Sequence, residues 1–118
     1  MDGIFYTLRS QPNFRIHIFF ALLAVSLGFI LKIPSSEWVV ILFVIGLVLV
    51  SEMINTSIES VIDLLTDKYH LSAKIAKDVS AGMVLVTAGV AIITGILIFV
   101  PHLLGRICIS KCWQLTNT

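Results

Sequence analysis

The sequence predicts an all-α membrane protein with three transmembrane helices and a short amphipathic helix on the membrane surface. Apolar residues make up 58% of the 118 residues and charged residues only 13%, whereas soluble domains carry about 25% charged residues. The mean hydropathy is +1.03. The apolar residues lie in long runs, without the short alternating segments of a β-barrel. We therefore predict one membrane domain. The net charge of +1 gives no electrostatic basis for binding nucleic acid.

The first thirteen residues are predicted to form the amphipathic surface helix. Ile4, Phe5 and Leu8 recur at helical spacing, and Arg9 follows them. Apolar residues on one face with a basic residue beside them are typical of a helix that lies in the membrane interface.

Three apolar segments are predicted to span the membrane, at about residues 14–31, 37–65 and 79–100. A helix needs about 20 mostly apolar residues to cross the bilayer, and the first and third runs reach this length. The apolar part of the second run ends at Val50. Its helix must therefore continue into the polar stretch SEMINTSIESVIDLL to complete the crossing.

The basic residues predict the orientation of the chain. Five precede the first span or lie between the second and third spans, and three lie on the opposite side. The five are Arg9, Arg15, Lys68, Lys74 and Lys77, and the three are Lys32, Arg106 and Lys111. Because Lys and Arg favour the cytoplasmic side, we expect the N-terminus and the loop 66–78 in the cytoplasm, with the turn 32–37 outside.

An acidic stripe follows the second apolar run. Glu52, Asn55, Glu59 and Asp63 have offsets of 0, 3, 7 and 11 residues, which places them within an arc of roughly 80° on one helix. Ionisable residues at membrane depth are costly and are usually functional. We interpret Glu52 as a general base, because a carboxylate in a partly dry site can accept a proton from an alcohol. A helix that simply becomes polar as it leaves the membrane is the alternative, above all for Asp63.

The other polar residues complete a set suited to phosphoryl transfer. The oxygens of Glu59 suit Mg²⁺, and Asn55 could orient a hydroxyl or phosphate oxygen. Lys77 could neutralise phosphate oxygens, and Asp78 could bind a metal or a nucleotide group. A basic anchor followed by an acidic helix start is the alternative for these two residues. Neither a phosphate-binding P-loop nor a protein-kinase motif is present, so neither common kinase architecture applies.

These residues resemble one family, the small integral-membrane diacylglycerol kinases of bacteria with their undecaprenol kinase relatives. EMINTSIESVID and YHLSAKIAKD match two of its motifs at the right separation, and the resemblance covers about residues 3–101. NFRIH is similar to the Gram-positive type, whose members often favour undecaprenol. The resemblance implies a kinase that transfers the γ-phosphate of ATP, with Mg²⁺, to the hydroxyl of undecaprenol or diacylglycerol.

The resemblance also implies how the protein is assembled and where it lies. It implies a homotrimer in the bacterial inner (cytoplasmic) membrane, with active sites shared between subunits on the cytoplasmic side. Glu52 would be the general base, and Glu59 would hold Mg²⁺ with the nucleotide. Asn55 and Asp63 would support the site. Contacts to ATP would come from Glu59, Gln11, Tyr69, His70, Lys77 and Asp78, and contacts to the lipid from Asn13, Phe14, Arg15 and Glu52.

Two features depart from the family pattern. The first is the residue at position 11, and the second is a start later than in many relatives, so we expect part of the N-terminal surface helix and its nucleotide contacts to be absent. The family usually has a glutamate metal ligand at the position of Gln11, and a neutral amide is a weaker ligand for a hard cation. Residues 102–118 fall outside the kinase domain of residues 1–101, and we expect them to form a disordered C-terminal tail. Cys108 and Cys112 in this tail are a single CxxxC pair, which is weak evidence for a metal site, so we interpret them as incidental thiols.

A non-catalytic membrane oligomer, such as a transporter or scaffold with a degenerate kinase site, is the alternative function. A path for ions across the membrane requires ionisable residues along its depth. Here they cluster at one membrane face, which favours chemistry at the surface.

Overall fold

The structure, a computed structural model, describes residues 1–117. These residues form four α-helices. They are α1 (Asp2–Ser10), α2 (Pro12–Leu31), α3 (Ser35–Leu65) and α4 (Leu71–Thr116). The last three are long and apolar enough to cross a membrane. The prediction of an all-helical chain with three long apolar helices is therefore confirmed, whereas the placement of α1 on the membrane surface and the homotrimer stay predictions.

Gln11 forms the joint between α1 and α2. Its backbone is extended, with φ −113° and ψ 105°, and its N–H closes α1 by donating to the Thr7 carbonyl at 3.0 Å. Pro12 then begins α2, where its fixed φ suits a helix and its missing N–H costs nothing. Thr7 is buried, so α1 packs back against the rest of the chain and holds Gln11 near the start of α2.

The turn between α2 and α3 is tight. Lys32 adopts the left-handed conformation, with φ 53° and ψ 53°, and the N–H groups of Lys32 and Ile33 both donate to the Gly28 carbonyl. The ring of Trp38 lies on Gly28, where a Cβ atom would be only 2.7 Å from the ring. A small apolar core joins the three long helices at this end, and it consists of Leu31, Ile33, Ile41 and Ile98 with Trp38, Ile45 and Phe99 packed against it.

Helices α3 and α4 run antiparallel, and three of the side-chain hydrogen bonds that join them lie in the polar half of α3. The pairs are Asp63 with Lys77, Asn55 with Ser80, and Ser51 with Thr87, each at 2.8 Å. From one pair to the next, the residue number on α4 rises while that on α3 falls, as expected for antiparallel helices. These bonds lie toward the end of the bundle that carries the acidic stripe.

Helix α4 continues past Pro101 to Thr116, so the expectation of a disordered tail was wrong for residues 102–116. A proline removes one helical hydrogen bond and kinks a helix, but it does not always end it. Two contacts hold the extension to the bundle. His102 lies 2.8 Å from the Glu37 carboxylate, and Arg106 donates to the Ile30 carbonyl at 2.7 Å. Cys108 and Cys112 are free and exposed. The division into a domain of residues 1–101 and a tail stays a prediction.

Candidate active site

Glu52 is the most deeply buried ionisable side chain of the acidic stripe. It lies on α3 with only 1% of its surface exposed. Its Oε2 atom has no hydrogen-bond partner among residues 1–117, and His17 Nε2 on α2 faces it at 3.9 Å. Unpaired buried carboxylates are costly. The site therefore holds an acceptor oxygen that is ready to take a hydrogen bond or a proton.

An apolar groove of about 610 Å³ leads from His17 between the three long helices. Side chains from α2, α3 and α4 line it, among them Phe20, Ala24, Val44, Val48, Ala91 and Ile92. His17 is the ionisable residue of this lining, and it also faces Glu52. The apolar groove therefore ends at His17, whose other neighbour is the buried Glu52 carboxylate.

Asn55 lies one helical turn beyond Glu52 and is 8% exposed. Its Oδ1 atom accepts a hydrogen bond from Ser80 Oγ on α4 at 2.8 Å. On the other side of Glu52, Ser51 is bonded to Thr87 of α4 at 2.8 Å. Hydrogen bonds to α4 therefore lie on both sides of Glu52 along α3.

Lys77 and Asp63 form an ion pair at the polar end of α3. Lys77 Nζ donates to Asp63 Oδ1 at 2.8 Å, and both side chains reach solvent. Lys77 precedes the apolar part of α4, and its hydrogen bond to Asp63 raises the pKa of the Lys77 ammonium. The lysine is therefore positively charged at neutral pH.

Glu59 lies between this ion pair and Glu52. Its charge repels that of Glu52 and attracts that of Lys77. The side chain is half-buried, and it forms no hydrogen bond or ion pair with any other residue of the described chain. Its carboxylate is thus available to a cation.

The donor set is compatible with a metal ion that needs only one protein carboxylate. Within residues 1–117, no three His, Cys, Asp or Glu side chains cluster as a metal cage. Mg²⁺ does not need one, because it is usually bound through one or two carboxylates together with phosphate oxygens and water. Glu59 offers such a carboxylate, and Gln11 offers an amide oxygen from the joint between α1 and α2.

Within residues 1–117, no hydrogen bond or ion pair joins the other predicted site residues to the acidic stripe. Asp78 pairs with Lys74, one turn away on its own helix, at 2.7 Å. Tyr69 is 76% exposed, and His70 is exposed at the N-cap of α4. At the start of α2, Phe14 is buried, whereas Asn13 and Arg15 are exposed. Their assignments to ATP and to lipid stay predictions.

The sequence analysis identified neither Ser80 nor His17 as a site residue. A signal for Ser80 exists, since Lys77, Ser80 and Thr87 have offsets of 0, 3 and 10 residues and so share one face of α4. Each of the three bonds to α3. His17 carries no comparable signal, because its position opposite Glu52 depends on how α2 and α3 pack.

Comparisons with known proteins find one family. Residues 1–99 match the family model described as prokaryotic diacylglycerol kinase. The undecaprenol kinase of Bacillus subtilis (strain 168) is 43% identical over 101 residues, which are 86% of this chain and 82% of that protein. The diacylglycerol kinase of Synechocystis is 39% identical over 104 residues, 87% of this chain and 59% of that protein. The diacylglycerol kinase of Escherichia coli (strain K12) is 32% identical over 93 residues, 79% of this chain and 76% of that protein.

Proposed function

Because the chain belongs to the prokaryotic diacylglycerol kinase family and is a multi-pass membrane lipid kinase, we propose that it transfers the γ-phosphate of ATP to the hydroxyl of a membrane lipid. The observation that carries this proposal is the Glu52 carboxylate. It is buried, one oxygen has no hydrogen-bond partner within residues 1–117, and it faces His17, which lines an apolar groove.

Glu52 acts as the general base in this proposal. The lipid lies in the groove with its hydroxyl beside Glu52 Oε2. As the hydroxyl oxygen attacks the γ-phosphorus, its O–H bond breaks and the proton passes to Glu52. The bond from the γ-phosphorus to the bridging oxygen breaks, and ADP leaves with that electron pair. A buried carboxylate suits this step, because the groove excludes water that would compete for the phosphate.

The nucleotide would bind at the polar end of α3 and α4. Lys77 is positively charged and can leave Asp63 for phosphate oxygens, since both side chains reach solvent. Glu59 and Gln11 would hold Mg²⁺, which when bound offsets the charge of the phosphates. Tyr69, His70 and Asp78 lie at the same end of the bundle, and we assign them to contacts with ATP.

The acceptor is undecaprenol or diacylglycerol, and the sequence comparison favours undecaprenol. The chain is 43% identical to an undecaprenol kinase, against 39% and 32% for two diacylglycerol kinases. The groove is lined by apolar side chains, which suits the hydrocarbon of either lipid. Asn13, Phe14 and Arg15 lie at the start of α2, about one turn from His17, where the lipid would reach the groove.

The long helices leave wide apolar faces in the single chain. Phe19, Phe43 and Leu85 are all more than 60% exposed. Lipid and neighbouring subunits would cover these faces, and we assign the chain to a homotrimer in the bacterial inner membrane by its resemblance to the family. The excess of basic residues supports an active site on the cytoplasmic side, within a kinase domain of residues 1–101.

Transfer of label from γ-labelled ATP into undecaprenol and into diacylglycerol, each in mixed micelles with Mg²⁺, tests the function. We expect label in undecaprenol with the wild type and none with Glu52→Gln. The matched control is Glu37→Gln, the same change at the opposite end of α3, where Glu37 pairs with His102, and it should retain activity.

Each outcome of this assay decides one part of the proposal. Activity in Glu52→Gln would overturn the role of the base, and label in diacylglycerol alone would overturn the choice of acceptor. If the wild type labels neither lipid, the assignment as a lipid kinase is wrong. The alternative would then be the non-catalytic oligomer, which the comparisons do not support.

A further inference from the structure

Ser80 is the most completely buried polar residue of α4, at 2% exposed. Its Oγ atom lies 2.8 Å from Asn55 Oδ1 on α3 and 3.0 Å from the Lys77 carbonyl on its own helix. We propose that Ser80 is a positioning residue, which holds the carboxamide of Asn55 so that its Nδ2 donors face the transferred phosphate. This inference rests on the proposed kinase function.

The hydroxyl of Ser80 has one hydrogen for two acceptors, so two arrangements compete. If Ser80 donates to Asn55 Oδ1, the NH₂ group of Asn55 faces away from α4 toward the site. If Ser80 donates to the Lys77 carbonyl, Ser80 can only accept from Asn55. The carboxamide is then rotated, and Oδ1 faces the site. The bond from Ser80 therefore decides whether Asn55 presents a donor or an acceptor.

The surroundings favour the first arrangement. The Lys77 carbonyl lies in a continuous helix and already accepts the regular bond from the N–H four residues later. It therefore does not need the hydroxyl of Ser80. Asn55 is one turn from Glu52 and one turn from Glu59 along α3, and both side chains are acidic. Near two carboxylates and incoming phosphate oxygens, the donor end of an amide is favoured over its acceptor end.

Ser80 itself does not reach the reacting atoms, because it lies behind Asn55 on the neighbouring helix. Its contribution passes through the orientation of one carboxamide. Without the hydroxyl, the Asn55 side chain can rotate and place Oδ1 against phosphate oxygens, where two acceptors repel. The loss should therefore appear in the transfer step, where the charge on the phosphate develops.

A double-mutant cycle tests this inference. Ser80→Ala, Asn55→Ala and the double variant are assayed for kcat and for KM of ATP with the lipid that the wild type phosphorylates. Since the variant loses one neutral hydrogen bond, we expect Ser80→Ala to lower kcat about two- to tenfold. The double variant should be no slower than Asn55→Ala alone. Ser80→Thr keeps a hydroxyl at this position and should recover most of the activity.

Thr87→Ala is the matched control. It removes the bond from Thr87 to Ser51, which joins the same two helices without contacting Asn55. It should leave kcat unchanged, and thermal unfolding in detergent should shift similarly for Thr87→Ala and Ser80→Ala. If both variants lose similar stability but only Ser80→Ala loses kcat, the effect of Ser80 comes from positioning Asn55 and not from helix packing.

Several results would overturn the inference. Unchanged kcat in Ser80→Ala would do so, as would losses that add in the double variant, because Ser80 would then act independently of Asn55. A full effect in Ser80→Thr would point to steric packing and not to the hydroxyl. If the wild type and Thr87→Ala both transfer no phosphate, the kinase function itself fails, and this inference falls with it.

Discussion

His17 Nε2 and Glu52 Oε2 face each other across 3.9 Å between α2 and α3. This distance is too long for a direct hydrogen bond, but one oxygen atom between them can lie within 2.7–3.2 Å of both. The two groups differ in chemistry, since the carboxylate only accepts, whereas a protonated imidazole nitrogen donates. A hydroxyl oxygen placed there would give its proton to Glu52 and accept a hydrogen bond from His17.

We predict that His17→Ala lowers kcat/KM for the lipid about tenfold, the value of one good hydrogen bond, and leaves KM for ATP unchanged. His17→Gln retains a donor on a flexible side chain and should lose less. Ser26→Ala is the control on the same helix, because Ser26 is exposed and its hydroxyl bonds to the Leu22 carbonyl of its own helix. Equal activity of His17→Ala and Ser26→Ala would show that His17 only packs in the groove.

The ion pair of Lys77 with Asp63 leads to a prediction about charge placement. We expect the exchanged variant Asp63→Lys/Lys77→Asp to unfold at nearly the same temperature as the wild type, because exposed ion pairs contribute little to stability. Its KM for ATP should rise strongly, since a positive charge on α3 does not replace one on α4 beside the phosphates. KM for ATP and thermal unfolding, measured together, check this. If the exchange leaves KM unchanged, Lys77 has no specific contact with the nucleotide.

The acidic stripe could be predicted from sequence because it depends only on helical spacing within α3. The structure buries Glu52 and Asn55 and leaves Asp63 exposed, in line with their depth along the helix. The partners of these residues could not be predicted in the same way. The hydrogen bond of Asn55 to Ser80 and the approach of His17 to Glu52 depend on how each helix is rotated about its axis. Spacing within one helix does not contain that information.

Asp78 illustrates a competing local interaction. Sequence reasoning placed it beside Lys77 in the nucleotide site, but Lys74 lies one turn before it and binds its carboxylate at 2.7 Å. Pairs four residues apart on a helix meet without any tertiary structure. The assignment of Asp78 to ATP therefore requires this pair to open, and it stays a prediction.

Gly28 leads to a prediction about stability. The ring of Trp38 lies 2.7 Å from the position that a Cβ atom on Gly28 would occupy, so Gly28→Ala must displace the ring and the turn that follows. We expect a loss of about 1–3 kcal/mol, as for overpacked cores, measured by unfolding in detergent. Gly105→Ala is the control, because a Cβ atom there meets nothing within 4 Å, and alanine is the better helix former. A stable Gly28→Ala variant would mean that Trp38 does not pack closely on α2.

Gln11 leads to a prediction about the metal. It lies at the joint between α1 and α2, where a carboxylate in its place would add a negative charge to a site that otherwise depends on Glu59. Because Mg²⁺ prefers charged oxygen ligands, we expect Gln11→Glu to reach half-maximal activity at a lower Mg²⁺ concentration, with KM for the lipid unchanged. Gln114→Glu makes the same change on the exposed end of α4 and should leave the Mg²⁺ dependence as it is. If Gln11→Glu and Gln114→Glu show the same dependence of activity on Mg²⁺ concentration, position 11 does not belong to the metal site. Glu59 would then be the one protein carboxylate assigned to the metal.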